Sequence, residues 1–234
     1  MTALCSICPG QDFALCAPAP NQAGMELHNI RGNTRFVKPR QIVRHEQQEN
    51  GELITLSSGW AFCYRHTCDG RRQILSFLLP GDAVGLTDLY LGHAEPAVQT
   101  LTDAKFCVFQ SDSVRAFSAG HPLCADRVGR ALVERLVLLE RRLISIGKLS
   151  ASERIAQLIL ELHTRLSARR LTDGDSMPFP LSQAHVGDAL GLTPMHVHRV
   201  LKALKDKNLI RLEHRRLEIK DRPGLVSLAK ISQQ

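Results

Sequence analysis

Long apolar runs are missing from this chain. No stretch approaches the roughly 18 consecutive apolar residues of a membrane helix, so neither a spanning segment nor a membrane partner is expected. The first twenty residues lack a basic start followed by a continuous apolar stretch, and no secretory signal is expected there. That points to a cytoplasmic protein, where a disulfide framework is disfavoured, and the odd count of seven cysteines agrees. A phosphate-cradling glycine loop, a nucleophile motif and a pair of catalytic carboxylates are also missing. The chain is therefore not expected to be an enzyme.

What is present is ordinary in amount and uneven in arrangement. The 234 residues are 44% hydrophobic and 23% charged, enough for one or two domains with their own cores. Residues 1–140 carry 13 Lys and Arg against 14 Asp and Glu, whereas residues 141–234 carry 17 against 9. A neutral first part joined to a basic second part suggests that the second meets a polyanion, although a solvated basic surface would give the same balance.

Four segments follow from texture. Residues 1–25 hold several prolines and three of the seven cysteines, in "CSICPGQDFALCA", and read as an irregular arm. Disulfides, zinc, an iron–sulfur cluster and chance would each account for that concentration of thiols. Residues 26–120 contain short apolar stretches broken by turn residues. "ELITLSSGWAFCYRH" and "RRQILSFLLPGD" read as strands joined by a turn at Asp69-Gly70, and "AVQTLTDAKFCVFQ" as a further pair, which suggests a small β-barrel or sandwich.

Residues 121–149 change to a helical period. Val128, Leu132, Leu136, Leu139, Leu143 and Ile146 recur at intervals of three and four, a seam close to a coiled-coil repeat. Arg127, Arg130, Glu134, Arg135, Glu140, Arg141 and Arg142 are expected on its other faces. The narrow seam in a charged setting favours pairing with a second copy of the chain through Leu132, Leu136, Leu139, Leu143 and Ile146.

Residues 150–234 begin with "SASERIAQLILELHTRL", a helix with Ser150 or Ser152 as its cap. Further on, Ser182 can cap a short helix that buries Val186, Ala189 and Leu190, and Gly191 can end it in the left-handed conformation. Thr193 can cap the next helix with Pro194 at its first position. Val197, Val200, Leu201 and Leu204 form its buried stripe, leaving Met195, His196, His198, Arg199 and Lys202 on other faces. This is a helix-turn-helix whose recognition helix begins near Thr193. "LIRLEHRRLEI" reads as a wing, with Arg215 and Arg216 in reach of phosphates. The partner implied is double-stranded DNA.

With "DGRRQILSFLLPGDAVGL" (69–86), "SASERIAQLILEL" (150–162) and "LGLTPMHVHRVLKAL" (190–204) in view, the chain resembles the CRP/FNR family of bacterial transcription regulators over nearly its whole length. The resemblance implies an α+β chain: a cyclic-nucleotide-binding-type β-roll, a long dimerisation helix and a C-terminal winged helix-turn-helix. It implies a homodimer on a palindromic operator, control of DNA binding by a signal read in the roll, and RNA polymerase as a further partner. Family members that bind cyclic AMP use a Gly-Glu pair and an Arg-Ser or Arg-Thr pair. Here Gly81-Asp82 stands at the first place and "HAEPA" (93–97), without arginine, near the second. A cyclic phosphate would lack its bidentate partner, so no cyclic nucleotide is expected.

Cys5, Cys8 and Cys16 are similar in spacing and surroundings to the oxygen-sensing, FNR-like branch of that family. Its members complete four thiolates from a late strand of the roll, where Cys107 stands in this chain. The resemblance implies a [4Fe–4S] cluster on these four cysteines, chemically apt for soft thiolates. Zinc would accept the same set. Haem or nitric-oxide sensing, or no cofactor, would leave the regulator reading intact; an iron–sulfur enzyme or electron carrier would replace it. Cys63 and Cys68 flank an expected strand end and could serve as alternative ligands, but with Cys124 they do not match the family pattern and read as structural.

In the recognition helix, the best-known members carry a glutamate and a serine ahead of a guanine-reading arginine. This chain has Met195 and His198 at those places and retains Arg199.

Overall fold

The computed structural model describes residues 30–46, 51–91 and 96–230. Cys5, Cys8, Cys16 and the start of "HAEPA" lie outside the described residues. Two compact units emerge: described residues up to Arg65 with Leu75–Val137, and His66–Ile74 with the described residues from Leu138 onward.

The first unit is built on β1 (Arg31–Val37), β2 (Ile42–Arg44), β3 (Glu52–Ser58), β4 (Ala61–His66), β5 (Arg72–Leu78), β6 (Ala83–Val84), β7 (Ala97–Thr100) and β8 (Ala104–Gln110), with α1 (Asp88–Leu91) after β6. They form two four-stranded sheets, ordered β1-β8-β3-β6 and β2-β7-β4-β5. The Asp69-Gly70 turn forms as expected: the Gly70 N–H donates to Thr67 O at 2.9 Å, and Gly70 takes φ +82°, which glycine adopts without a Cβ clash.

Strand alternation divides the apolar residues into two layers. Ala104, Phe106 and Val108 of β8 pack with Ile54, Leu56, Ala61, Cys63 and Val98 as the core between the sheets. Phe109 and the half-buried Cys107 belong to a second cluster, with Leu53, Leu86, Leu89, Val114 and Val128. That cluster seats α2 (Ser111–Gly120) and the beginning of α3 (Pro122–Lys148).

Helix α3 divides the predicted seam along its length, the start packed inward and the following turns exposed. Val128 is fully buried in its own unit, and Leu132 is half-buried against the same cluster. Both therefore serve the core that α3 completes. Val133, Leu136, Val137, Leu139, Leu143 and Ile144 are exposed, and Ile146 is half-buried. The exposed stripe keeps Leu136, Leu139 and Leu143 of the predicted seam and widens it with Val133, Val137 and Ile144.

Arg142 corrects a second expectation. Predicted on the charged outer face, it is buried. Its guanidinium donates to Glu161 Oε2 at 3.1 Å and to Ala189 O at 3.4 Å. Glu161 also accepts from Arg165 at 3.3 Å, so one carboxylate is shared by two cations.

In the second unit, α4 (Ala151–Ala168) opens with a capping box: the Ser150 N–H donates to Glu153 at 2.7 Å, and the Glu153 N–H returns to Ser150 Oγ at 3.4 Å. Its inner face buries Ile155, Leu158, Ile159, Leu162 and Leu166. The helices α5 (Gln183–Leu190), α6 (Pro194–Asp206) and α7 (Arg222–Ala229) accompany a small sheet of β9 (Ser176–Pro178), β10 (Ile210–Glu213) and β11 (Arg216–Ile219), ordered β10-β11-β9. No helix among the described residues is long and apolar enough to cross a membrane.

Candidate nucleic-acid interface and sensor cysteine

The helix-turn-helix forms where its start and stop signals predict. Ser182 caps α5 by accepting from the His185 N–H at 3.2 Å, and His185 Nδ1 accepts from the Ser182 N–H at 3.2 Å. Gly191 ends α5 at φ +65°, the left-handed conformation that turns the chain. The approach in this turn is close: a Cβ on Gly187 would stand 2.4 Å from Leu192 O. Thr193 then caps α6 by accepting from the His196 N–H at 3.2 Å, with Pro194 next.

Burial of α6 follows the predicted stripe, with Val197, Val200, Leu201 and Leu204 all buried. At 100° per residue, Met195, Arg199 and Lys202 point directly away from that stripe, and all three are exposed. His198 is exposed on one flank, and His196 is half-buried on the other. The structure thus brings five of the predicted DNA contacts onto one short helix. Ser182 and Thr193 are exposed at the two helix starts, where backbone N–H groups favour phosphate.

The wing forms between β10 and β11 in the register Glu213↔Arg216. His214 and Arg215 occupy its tip with φ +47° and +59°, the pattern of a type I′ turn. The Phe179 N–H donates to Arg215 O at 2.7 Å and ties the tip to the chain after β9. The Arg215 side chain is exposed, and Arg216 Nη2 donates to Ser176 Oγ at 3.1 Å.

One contact of the recognition helix is not predicted by the sequence. Gln183 Nε2 lies 3.0 Å from His198 Nδ1, joining the first turn of α5 to the recognition helix. The signal was Gln183 directly after the capping serine, but a partner fifteen residues away follows only from helix packing.

In the roll, Cys107 lies in β8 opposite Thr34 of β1 and Thr55 of β3. It shares the layer that contains Val128 of α3. Cys63 is buried in the other layer, between the sheets. Cys124 is buried with its sulfur 3.2 Å from Ser118 Oγ. Cys68 overturns its structural reading: it is exposed in the turn after β4 and fills no core. Among the described residues, no three His, Cys, Asp or Glu side chains converge as a metal site. A complete thiolate set around Cys107 would require the arm cysteines.

At Gly81-Asp82, the carboxylate closes its own turn by accepting from the Leu79 N–H at 2.8 Å.

Comparison with known proteins finds a family match in each part of the chain. The Crp-like helix-turn-helix domain family matches residues 153–228, and the Cyclic nucleotide-binding domain family matches residues 34–121. The chain is 25% identical over 225 residues to the nitrogen fixation regulation protein FixK of Bradyrhizobium diazoefficiens, covering 96% of this chain and 93% of that one. It is 26% identical over 218 residues to the anaerobic regulatory protein of Aggregatibacter actinomycetemcomitans, covering 92% and 84%. The solved structure of FixK2 from Bradyrhizobium japonicum superposes with a TM-score of 0.77 at 25% identity, covering 86% and 98%.

Proposed function

Because the chain belongs to the CRP/FNR family of DNA-binding transcription regulators, we propose that it acts in the cytoplasm as a homodimer on a palindromic operator. We infer that it reads oxygen or redox state through a [4Fe–4S] cluster on Cys5, Cys8, Cys16 and Cys107. The position of Cys107 carries this reading. It is half-buried, on the layer of the roll that also contains Val128 of α3. A ligand at Cys107 would therefore act on the packing under the helix proposed to form the dimer. The resemblance of the arm to the oxygen-sensing branch and the similarity to an anaerobic regulatory protein support the same signal.

The donor chemistry fits: four cysteine thiolates suit a [4Fe–4S] centre. When bound, such a cluster supplies a link that oxygen breaks. The chain's own residues do the rest. Cys107 of β8, with Cys5, Cys8 and Cys16 of the arm, would hold the cluster. Val133, Leu136, Leu139, Leu143 and Ile144 offer a second copy the exposed apolar stripe of α3. Pairing brings two copies of α6 to successive major grooves, about 34 Å apart. Arg199 supplies the fork for guanine O6 and N7. Lys202, Arg215, Arg216 and the starts of α5 and α6 engage phosphates. RNA polymerase is the partner through which the bound dimer acts on transcription.

The test is an anaerobic visible absorption spectrum of the purified protein with iron and sulfide assays, before and after air. A brown protein with about four irons per chain, bleached by air and lost in Cys16→Ala or Cys107→Ala, supports the sensor. A colourless, iron-free protein after anaerobic reconstitution overturns it and leaves the DNA-binding function standing.

A further inference from the structure

The outward face of α6 has an unusual chemical balance. Arg199 and Lys202 present only donors. Met195, one turn ahead of Arg199 on the same face, presents a thioether that is 67% exposed although α6 has an apolar stripe of its own to bury. His198 completes the set from the flank. The Gln183 amide nitrogen can only donate, so at 3.0 Å it makes His198 Nδ1 the acceptor. In the neutral ring the proton then sits on Nε2, and the free edge of the imidazole is a donor as well.

Met195, His198, Arg199 and Lys202 offer no strong acceptor among them. The sole carboxylate of α6 belongs to Asp206, at the far end of the helix, eleven residues or about 16 Å from Met195. The exocyclic amino groups of cytosine and adenine would find no strong acceptor on these four side chains. Guanine offers O6 and N7 as acceptors, and thymine offers O4 as an acceptor together with an apolar C5-methyl group. A face of donors plus one exposed thioether is complementary to guanine and thymine edges.

We propose that Met195 reads the C5-methyl of a thymine neighbouring the guanine read by Arg199, and that Gln183 is a positioning residue that sets His198 as a donor to an adjacent base acceptor. This rests on the DNA-binding reading of α6 and deepens it to a base preference. Gln183 reaches the DNA through His198; Met195 touches the base itself.

The experiment uses the full-length protein in its DNA-binding state. A duplex is first selected from a random pool. Each half-site thymine is then replaced, one position at a time and in both half-sites, by deoxyuridine, which removes the methyl and nothing else. Loss of one methyl contact corresponds to about fourfold in affinity per half-site, or about fifteenfold for both.

The proposal expects one position to show that loss with the wild-type protein and none with Met195→Ala. Because Met195 is exposed, Met195→Ala should keep the wild-type melting temperature. Gln183→Ala should flatten the preference at one neighbouring base pair and leave the preference at the other positions as in the wild type, a result that general loosening of the helix pair would not give. If no deoxyuridine substitution weakens binding more than twofold, or the loss persists in Met195→Ala, the thymine contact is refuted. An unaltered base preference in Gln183→Ala refutes the positioning role. A selection that enriches no sequence overturns the DNA-binding reading itself, and the inference with it.

Discussion

Truncating Leu143 tests the dimer where the exposed stripe of α3 is most prominent. Its residue surface is 74% exposed. Leu→Ala removes three carbons, about 2.4 kcal/mol if all were taken from water at about 0.8 per carbon. Scaling by the exposed fraction leaves about 1.8 kcal/mol per copy. A two-fold interface contains the residue twice, so the dimer loses about 3.5 kcal/mol, or about 300-fold in Kd. Incomplete burial at the interface would bring this toward thirtyfold.

Sedimentation equilibrium of wild-type and Leu143→Ala protein in the DNA-binding state reads the number directly. Leu132→Ala is the informative control. Leu132 is half-buried against its own core, so its truncation should lower the melting temperature and move Kd much less. A Kd unchanged within threefold in both Leu143→Ala and Val133→Ala would refute the assignment of this face to a second copy.

Four further outcomes follow from the geometry. Arg142→Ala removes a buried cation from Glu161 and Ala189 O; because Arg165 still serves Glu161, the cost should be about 2 kcal/mol in chemical denaturation. Adding Glu161→Gln to Arg142→Ala should cost less than the two single changes summed.

The Glu153 carboxyl is held at about 2, chiefly by the Lys230 ammonium and then by the Ser150 N–H, against an ordinary 4.5. Its contribution to stability is therefore complete above about pH 4.5 and disappears as pH falls toward 2. Melting temperatures of wild type and Glu153→Gln should converge across that window, and a constant gap would contradict the pairing.

Gly187→Ala drives a methyl against Leu192 O, where both sides are backbone. It should cost about 2 kcal/mol or more and impair DNA binding in proportion to unfolding. At the wing, His214→Asn with Arg215→Gly fits the left-handed pair better than the native residues do. The melting temperature should rise while DNA affinity falls, with the salt slope reduced by about one per protomer for the lost arginine.

Much was legible in the sequence because the signals are local. Ser182, Gly191, Thr193 and Pro194 mark ends of helices through hydrogen bonds and backbone conformations reaching no more than a few residues. The burial of Val197, Val200, Leu201 and Leu204 follows from a single period. The Asp69-Gly70 turn is equally local and the charge difference between the two halves is compositional; the α+β class came with the family resemblance that these segments carry.

The tertiary structure decided what depends on neighbours distant in sequence. One helical period cannot say which apolar residues of α3 serve its own unit, so Val128 and Leu132 turned inward while Val133 and Ile144 stayed outside. Arg142 looked like a surface charge until Glu161 and the end of α5 came within hydrogen-bonding distance. Cys63 and Cys107 are both cysteines in strands, but the alternation of two sheets sends them to opposite layers. Gln183 meets His198 only because two helices pack across a turn. Side-chain chemistry and local backbone preference are written in the sequence; which surface each side chain meets is set by packing.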